Sequence, residues 1–136
     1  MAAAPYRRPD FFTRKVMQPL FAALGITPTL TVRGRTSGRS YRFPVLPLDF
    51  QGKRYVVAPR GNTQWARNLR ASGEAQLKMG GRSRRVRATE VPTPANTPIV
   101  DAYVRQFGSK YGGYVRREFA SMPDPAHHPV FLLQDL

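Results

Sequence analysis

Ala75-Gln76-Leu77-Lys78-Met79-Gly80-Gly81-Arg82-Ser83-Arg84-Arg85-Val86-Arg87-Ala88-Thr89-Glu90-Val91 decides what kind of fold this chain adopts. Apolar and polar residues alternate along 75–79 and, past the two glycines, again through Val86 and Ala88, the period of a strand with one buried face. The tight hairpin turns whose twist matches the flanking strands need positive φ, which glycine adopts without steric cost. The stretch therefore reads as strands at 75–79 and 82–91 joined by a two-residue turn. Upstream, 63–71 has helical spacing, with Asn62 or Thr63 as cap and Ser72-Gly73 as stop. Before it, 30–33, 41–49 and 54–58 are short β-type runs separated by turns at 34–38 and at Gln51-Gly52. Downstream, 92–98 is a Pro/Thr-rich connector, 99–107 fits a helix, and 130–133 fits a last strand after Pro129. Short strands, local hairpins and few helices predict a mainly β domain with flanking helices, an antiparallel barrel carrying its helices outside.

The chain has 136 residues, enough for one core that buries roughly two-thirds of the unfolded surface without disulfides or metal. A single domain over 1–136 is expected, with an N-terminal amphipathic region at 1–25, a barrel core at 29–91, and a helix, aromatic segment and last strand at 92–136. Hydrophobic residues at 41% exclude a disordered polycation. The chain has no cysteine, and its imidazoles are His127 and His128, so thiol chemistry, thiolate zinc sites and Cys-ligated haem are excluded and no metal site is expected. No GxGxxG or GxxxxGK[ST] pattern occurs, which disfavours a Rossmann or P-loop domain.

The N-terminal region places Phe11, Phe12, Val16, Met17, Leu20, Phe21 and Leu24 at helical spacing between Asp10 and Gly25, with Pro19 as a kink. Arg7, Arg8, Arg14 and Lys15 flank that face, so it either packs on the protein's own core or meets a membrane surface. No apolar run reaches the roughly 18–20 residues of a bilayer span. Gln18 and Pro19 interrupt any resemblance to an export signal. A cytoplasmic location, with peripheral membrane association as an option, is the expectation.

The formal charge is +14, and fourteen of the 22 basic residues but two of the eight acidic ones fall within 33–87. Eighteen of the cations are arginine, whose planar fork suits phosphate and carboxylate. An anionic partner for the middle of the chain is expected; a solvated, solubilising surface is the bland alternative.

Two elements in this stretch carry chemistry. Arg33-Gly34-Arg35-Thr36-Ser37-Gly38-Arg39-Ser40-Tyr41-Arg42 offers four guanidinium groups, the aliphatic hydroxyls of Thr36, Ser37 and Ser40, and two glycines that let backbone N–H groups converge on an anion. Val56-Val57-Ala58-Pro59-Arg60-Gly61-Asn62-Thr63-Gln64-Trp65-Ala66-Arg67-Asn68-Leu69 runs from a strand through a glycine turn into a helix start, where free N–H groups and the dipole favour negative charge. Each has a plain structural reading as well, the first as a turn and the second as a helix with Trp65 and Leu69 on its buried face.

Taken together, GRTSGRSYRFPV, YVVAPRG, TQWARNL and the closing HPVF resemble the deazaflavin-dependent nitroreductase and quinone reductase family of split β-barrel proteins found in actinobacteria. The match covers about 29–91 and the tail. Thr36 stands where a lysine is usual, Ser40 where a proline is frequent, and the loop from Gly61 to Trp65 is short. The resemblance implies an FMN-binding-like split barrel that binds coenzyme F420, a 5-deazaflavin with a phosphodiester and an oligoglutamate tail. By that resemblance Arg35, Thr36, Ser37 and Arg42 hold the phosphate and tail, and Ala58, Pro59, Arg60 and Gly61 line the ring. Trp65, Asn68 and Leu69 pack the phosphate-side wall, and Gly38, Pro44, Thr63 and Gln64 belong to the same cofactor-binding set.

Hydride transfer from a deazaflavin needs placement and water exclusion more than acid–base groups. The aromatic residues Tyr103, Phe107, Tyr111 and Tyr114 stand where the family keeps its acceptor pocket, although Tyr103 and Phe107 share a helical face and read equally as core. Tyr111 and Tyr114 are the candidate catalytic residues; Gly112-Gly113 between them predicts a mobile, non-helical segment that closes over the ring. The expected activity is an oxidoreductase acting on a quinone-like, nitroaromatic or other electron-poor acceptor, in a monomer or weak homodimer. The alternatives are an FMN- or haem-binding split barrel, a carrier of apolar ligands at a membrane, or a basic nucleic-acid-binding barrel. The last is disfavoured because the basic stretch lacks an RNA-stacking motif.

Overall fold

The computed structural model describes residues 27–136, so the helix expected near the N-terminus lies outside the described residues. Seven strands, β1 (Thr29–Arg33), β2 (Ser40–Pro44), β3 (Leu48–Phe50), β4 (Lys53–Val57), β5 (Glu74–Met79), β6 (Arg82–Glu90) and β7 (Val130–Asp135), form one sheet. Among the described residues three α-helices accompany it: α1 (Gln64–Ser72), α2 (Thr97–Phe107) and α3 (Tyr114–Ser121). Every ladder is antiparallel, and the spatial order is β2-β1-β5-β6-β7-β4-β3.

That order fixes the shape. β2 and β3 are the two edges of the sheet, yet residues 45–47 alone join them. In a flat seven-stranded sheet the edges would stand about 29 Å apart at ~4.8 Å per strand. Four peptide steps reach at most about 14 Å. The sheet therefore curls until its edges approach, giving a barrel split along a seam between β2 and β3. The sequence reading of 41–49 as one strand is corrected here: the chain leaves β2 at Pro44 and re-enters the sheet at Leu48. Pro44 and Pro47 carry no N–H for a second ladder, which suits the break between two edge strands.

The local signals elsewhere formed as expected. Gly80 and Gly81 have φ of 59° and 77°, the left-handed pair that a tight hairpin requires. The Thr63 hydroxyl caps α1 by accepting from Ala66 N at 3.4 Å, and Gly73 closes it in the left-handed region with its N–H on Leu69 O at 2.8 Å.

Alternation along β4 separates two cores. Val56 faces the barrel interior with Leu30, Val32, Leu77, Val86 and Phe131, into which α1 inserts Ala66 and Leu69. Tyr55 and Val57 face outward, where Ile99, Tyr103 and Phe107 of α2 and Val115 and Phe119 of α3 cover them. Burying each large apolar side chain contributes roughly 1.5–3 kcal/mol, so the helices hold to the sheet through this second core.

α3 was not expected from the sequence. Residues Tyr111–Gly113 form a 3-10 turn with φ of 53°, 69° and 79°, and a regular helix begins at once with Tyr114. α2 has already closed at Gly108, and the two left-handed glycines form the turn from which α3 starts. Tyr114, Val115, Glu118 and Phe119 are its buried residues, and a carboxylate on that face disguised the apolar period.

Candidate active site at the barrel seam

The turn between β1 and β2 rides on the first turns of α1. Arg35 donates from its backbone N–H to Asn68 Oδ1 at 3.1 Å and from Nη1 to the same oxygen at 2.7 Å, and Nη1 also reaches Gln64 Oε1 at 2.9 Å. Three of the expected cofactor residues are therefore one hydrogen-bonded knot. The turn is closed by Gly34 N to Arg39 O at 2.7 Å and Gly38 N to Gly34 O at 3.1 Å. A Cβ on Gly34 would meet Tyr41 Cε2 at 2.7 Å, and Gly38 has φ of 73°, so the close approach and the handedness both demand glycine. Ser37 Oγ lies 3.2 Å from the Tyr41 hydroxyl and accepts from Arg39 N at 3.2 Å. Thr36, Ser37 and Gly38 stand exposed at the tip of the turn.

Arg42 is placed differently. Phe43 turns inward and stacks on Trp65 with ring centroids 4.9 Å apart. Its neighbour Arg42 consequently points to the other face of β2, paired across the ladder with Thr31. Arg42 and the Arg35 knot do not share a face, and side-chain alternation along 41–43 was the signal for it.

A pocket of about 80 Å³ opens at the seam, lined by Pro44 at the end of β2, Val45 and Leu46 of the crossing segment, Val57, Pro59, Arg60, Trp65, Tyr103 and Tyr114. Five candidates named from the sequence, Pro44, Pro59, Arg60, Trp65 and Tyr114, meet here. Tyr111 is half-buried against the second core and does not line the pocket. Gln64 and Trp65, adjacent in α1, connect the basic turn to the pocket wall. Burial first, then the phenols of Tyr114 and Tyr111, pushes the Tyr103 hydroxyl above the ordinary phenol value, so it remains an O–H donor in that wall.

The loop from β4 to α1 is held from several sides. Ala58 N donates to Pro129 O at 2.9 Å, Gly61 N to Ala58 O at 3.2 Å and Thr63 N to Gly61 O at 2.8 Å. Arg70 binds Glu90 through two contacts of 2.6 and 2.9 Å and reaches Asn62 Oδ1 at 3.1 Å; the Glu90 carboxylate raises its pKa. His128, fully buried, donates from Nδ1 to Ala58 O at 2.9 Å, turns Nε2 to the Met122 carbonyl, and stacks on Phe119 at 4.0 Å. It pins the Ala58 turn to α3. Glu118 of α3 meets Arg60, Oε1 to Nη1 at 3.3 Å, with both side chains nearly buried. Sequence reading assigned no role to His128 or Glu118. An acid at helical spacing from Tyr114 was the available signal for the second. Among the described residues no group of three His, Asp or Glu could hold a metal ion.

Fold and site together define a class: a seven-stranded antiparallel split β-barrel with an aromatic-walled pocket at its seam and an arginine-rich turn beside it. The sequence profile of the F420H2-dependent quinone reductase family matches residues 14–123, and the chain belongs to that family. Its cofactor is accordingly coenzyme F420. Solved structures share the fold at low identity. One described as an F420-H2 dependent reductase is 18% identical, with 79% of this chain and 92% of that chain covered and a TM-score of 0.59. The heme storage protein HutZ from Vibrio cholerae is 14% identical over 96% and 92%, with a TM-score of 0.58. A NimC/NimA family protein from Clostridium acetobutylicum is 12% identical over 92% and 88%, with a TM-score of 0.54. No curated protein sequence matches the chain.

The residues present fit the cofactor. Residues 33–42 carry four arginines, the hydroxyls of Thr36, Ser37, Ser40 and Tyr41, and no acid, a donor set suited to a polyanion, and Trp65 and Pro59 in the pocket wall offer apolar surface to a ring.

Proposed function

We propose that this F420-dependent oxidoreductase reduces a planar quinone-type acceptor, with nitroaromatic and other electron-poor rings as the wider class, and that the acceptor binds in the seam pocket. The observation that carries the reading is the pocket wall itself: apolar and aromatic side chains, with the hydroxyl-bearing rings of Tyr103 and Tyr114 among them. When bound, the reduced deazaflavin supplies a hydride. Arg35, Thr36, Ser37 and Gly38 hold the phosphodiester, with Asn68 and Gln64 fixing the Arg35 guanidinium and Thr63 fixing the helix beneath it. Arg42, on the outer face, meets the far end of the anionic tail. Ala58, Pro59, Arg60 and Gly61 border the ring, while Trp65, Pro44 and Val57 exclude water. Tyr114 Oη gives a hydrogen bond or proton to the acceptor oxygen, and Tyr111 supports the turn that sets Tyr114 in place. The family match favours this reading over the FMN, haem and nucleic-acid alternatives.

Anaerobic oxidation of F420H2 by a neutral naphthoquinone tests it. The wild-type protein turns over, and Tyr114→Phe lowers kcat/KM about 10- to 100-fold, the low end of what a positioned proton donor contributes. An inert wild-type protein refutes the acceptor class, and an unaltered Tyr114→Phe variant assigns the proton to solvent.

A further inference from the structure

We propose that Glu118 sets the charge selectivity of the seam pocket: by neutralising Arg60 it makes the pocket accept an uncharged planar ring and reject an anionic one. The inference rests on the reading of this pocket as the acceptor site. Among the described residues that line the pocket, Arg60 alone carries a formal charge; the others are Pro, Val, Leu, Trp and Tyr. A guanidinium stays protonated in proteins. Left to itself at 10% side-chain exposure, inside a chain of net charge +14, it would make the pocket a trap for anions.

Glu118 removes that field. Its side chain, 6% exposed, reaches across from α3, 58 residues further along the chain, and lies 3.3 Å from Arg60 Nη1. The pair is neutral overall and presents a short dipole to the pocket. Interactions between buried charges are weakly screened, so one carboxylate at this distance governs what charge the pocket tolerates. The arrangement also separates two tasks. The exposed arginines of residues 33–42 serve the polyanionic cofactor, and the seam pocket, a few residues away on α1, is kept free of net charge for the ring that receives electrons. A basic barrel that binds a polyanion at one place and an apolar acceptor at the next is served by an acid at the second, and Glu118 supplies it.

Trp65 is the sole tryptophan of the chain and lines the pocket, so quenching of its fluorescence reports acceptor binding without turnover. The experiment measures, on the full chain, the Kd of a neutral naphthoquinone and of its ring-sulfonated derivative, with F420H2 oxidation by each recorded in parallel. The wild-type protein binds the neutral quinone at least tenfold more tightly than the sulfonate. Glu118→Gln, isosteric and still able to accept from Arg60, shifts that ratio at least tenfold towards the sulfonate. The double variant Arg60→Gln/Glu118→Gln, with both charges gone, keeps the wild-type preference. Should Glu118→Gln fail to fold, Arg60→Gln carries the test, since the carboxylate left alone disfavours the sulfonate at least threefold further. A wild-type protein without preference, or a folded single variant with an unchanged ratio, overturns the proposal. Ratios that shift as expected in a protein that oxidises no F420H2 sustain the charge selectivity and refute the reductase reading. Turnover with unshifted ratios does the reverse.

Discussion

Arg35 does two things at once: its guanidinium and its backbone N–H both engage Asn68, and Nη1 also meets Gln64. A side chain so fixed loses little further freedom on meeting an anion, which is the physical case for preorganisation. Arg35→Ala is expected to weaken F420 binding by about 1–3 kcal/mol, the usual cost of a charge-assisted contact, and to flatten its salt dependence. Arg42→Ala, on the opposite face of β2, should cost less at every salt concentration; isothermal titration across ionic strength separates the two. Tyr103 makes a prediction in pH. Its phenol is held above the ordinary value by burial, so above about pH 10 the unfolded chain releases a proton that the folded chain keeps. Stability therefore falls as pH rises past that point, by at most about 1.4 kcal/mol per pH unit from this group. Tyr103→Phe should lose stability less steeply than wild type in urea titrations above pH 10; parallel slopes would show that the phenol ionises in the folded protein.

At the scale of elements, what the sequence disclosed followed from strictly local chemistry. The Gly80-Gly81 hairpin, the Thr63 cap and the Gly73 stop formed at the positions read from the residues, because a turn or a cap needs nothing beyond a few neighbours. The break at 45–47 and the helix α3 escaped because each is decided by distant partners. The break follows from strand order around the whole barrel, and α3 from a Glu118 that belongs on its buried face only when Arg60 is opposite. The same limit hid the anchoring of Ala58 by His128, since the two are 70 residues apart. The Tyr111–Gly113 turn is the element that aims Tyr114, and Gly113 at φ of 79° launches the helix. A Cβ there would meet Arg117 Nη1 at an ordinary 3.5 Å, so the penalty is conformational. Gly113→Ala should destabilise the fold by about 1–2 kcal/mol, the cost of a left-handed residue with a side chain, read from the urea midpoint. An unchanged midpoint would mean that the turn relaxes without disturbing α3.

For the whole molecule, one topological fact organises the rest. Residues 45–47 bring the two edges of a seven-stranded sheet together, and the pocket lies where that crossing segment, the β4–α1 loop and the two outer helices converge. The interior core fixes one wall through Trp65, and the outer core fixes the other through Tyr103 and Tyr114. No helix among the described residues is long and apolar enough to cross a membrane. Four of the fourteen cations within 33–87, Arg33, Arg35, Arg39 and Arg42, stand on β1, β2 and the turn between them, which suits a cofactor with several anionic groups better than FMN with its single, dianionic phosphate. Direct titration of the purified protein with F420 and with FMN, followed by fluorescence, tests this account most directly. Binding of F420 at micromolar or lower Kd, with FMN at least tenfold weaker and unable to displace it, is the result predicted; equal or tighter binding of FMN would contradict it.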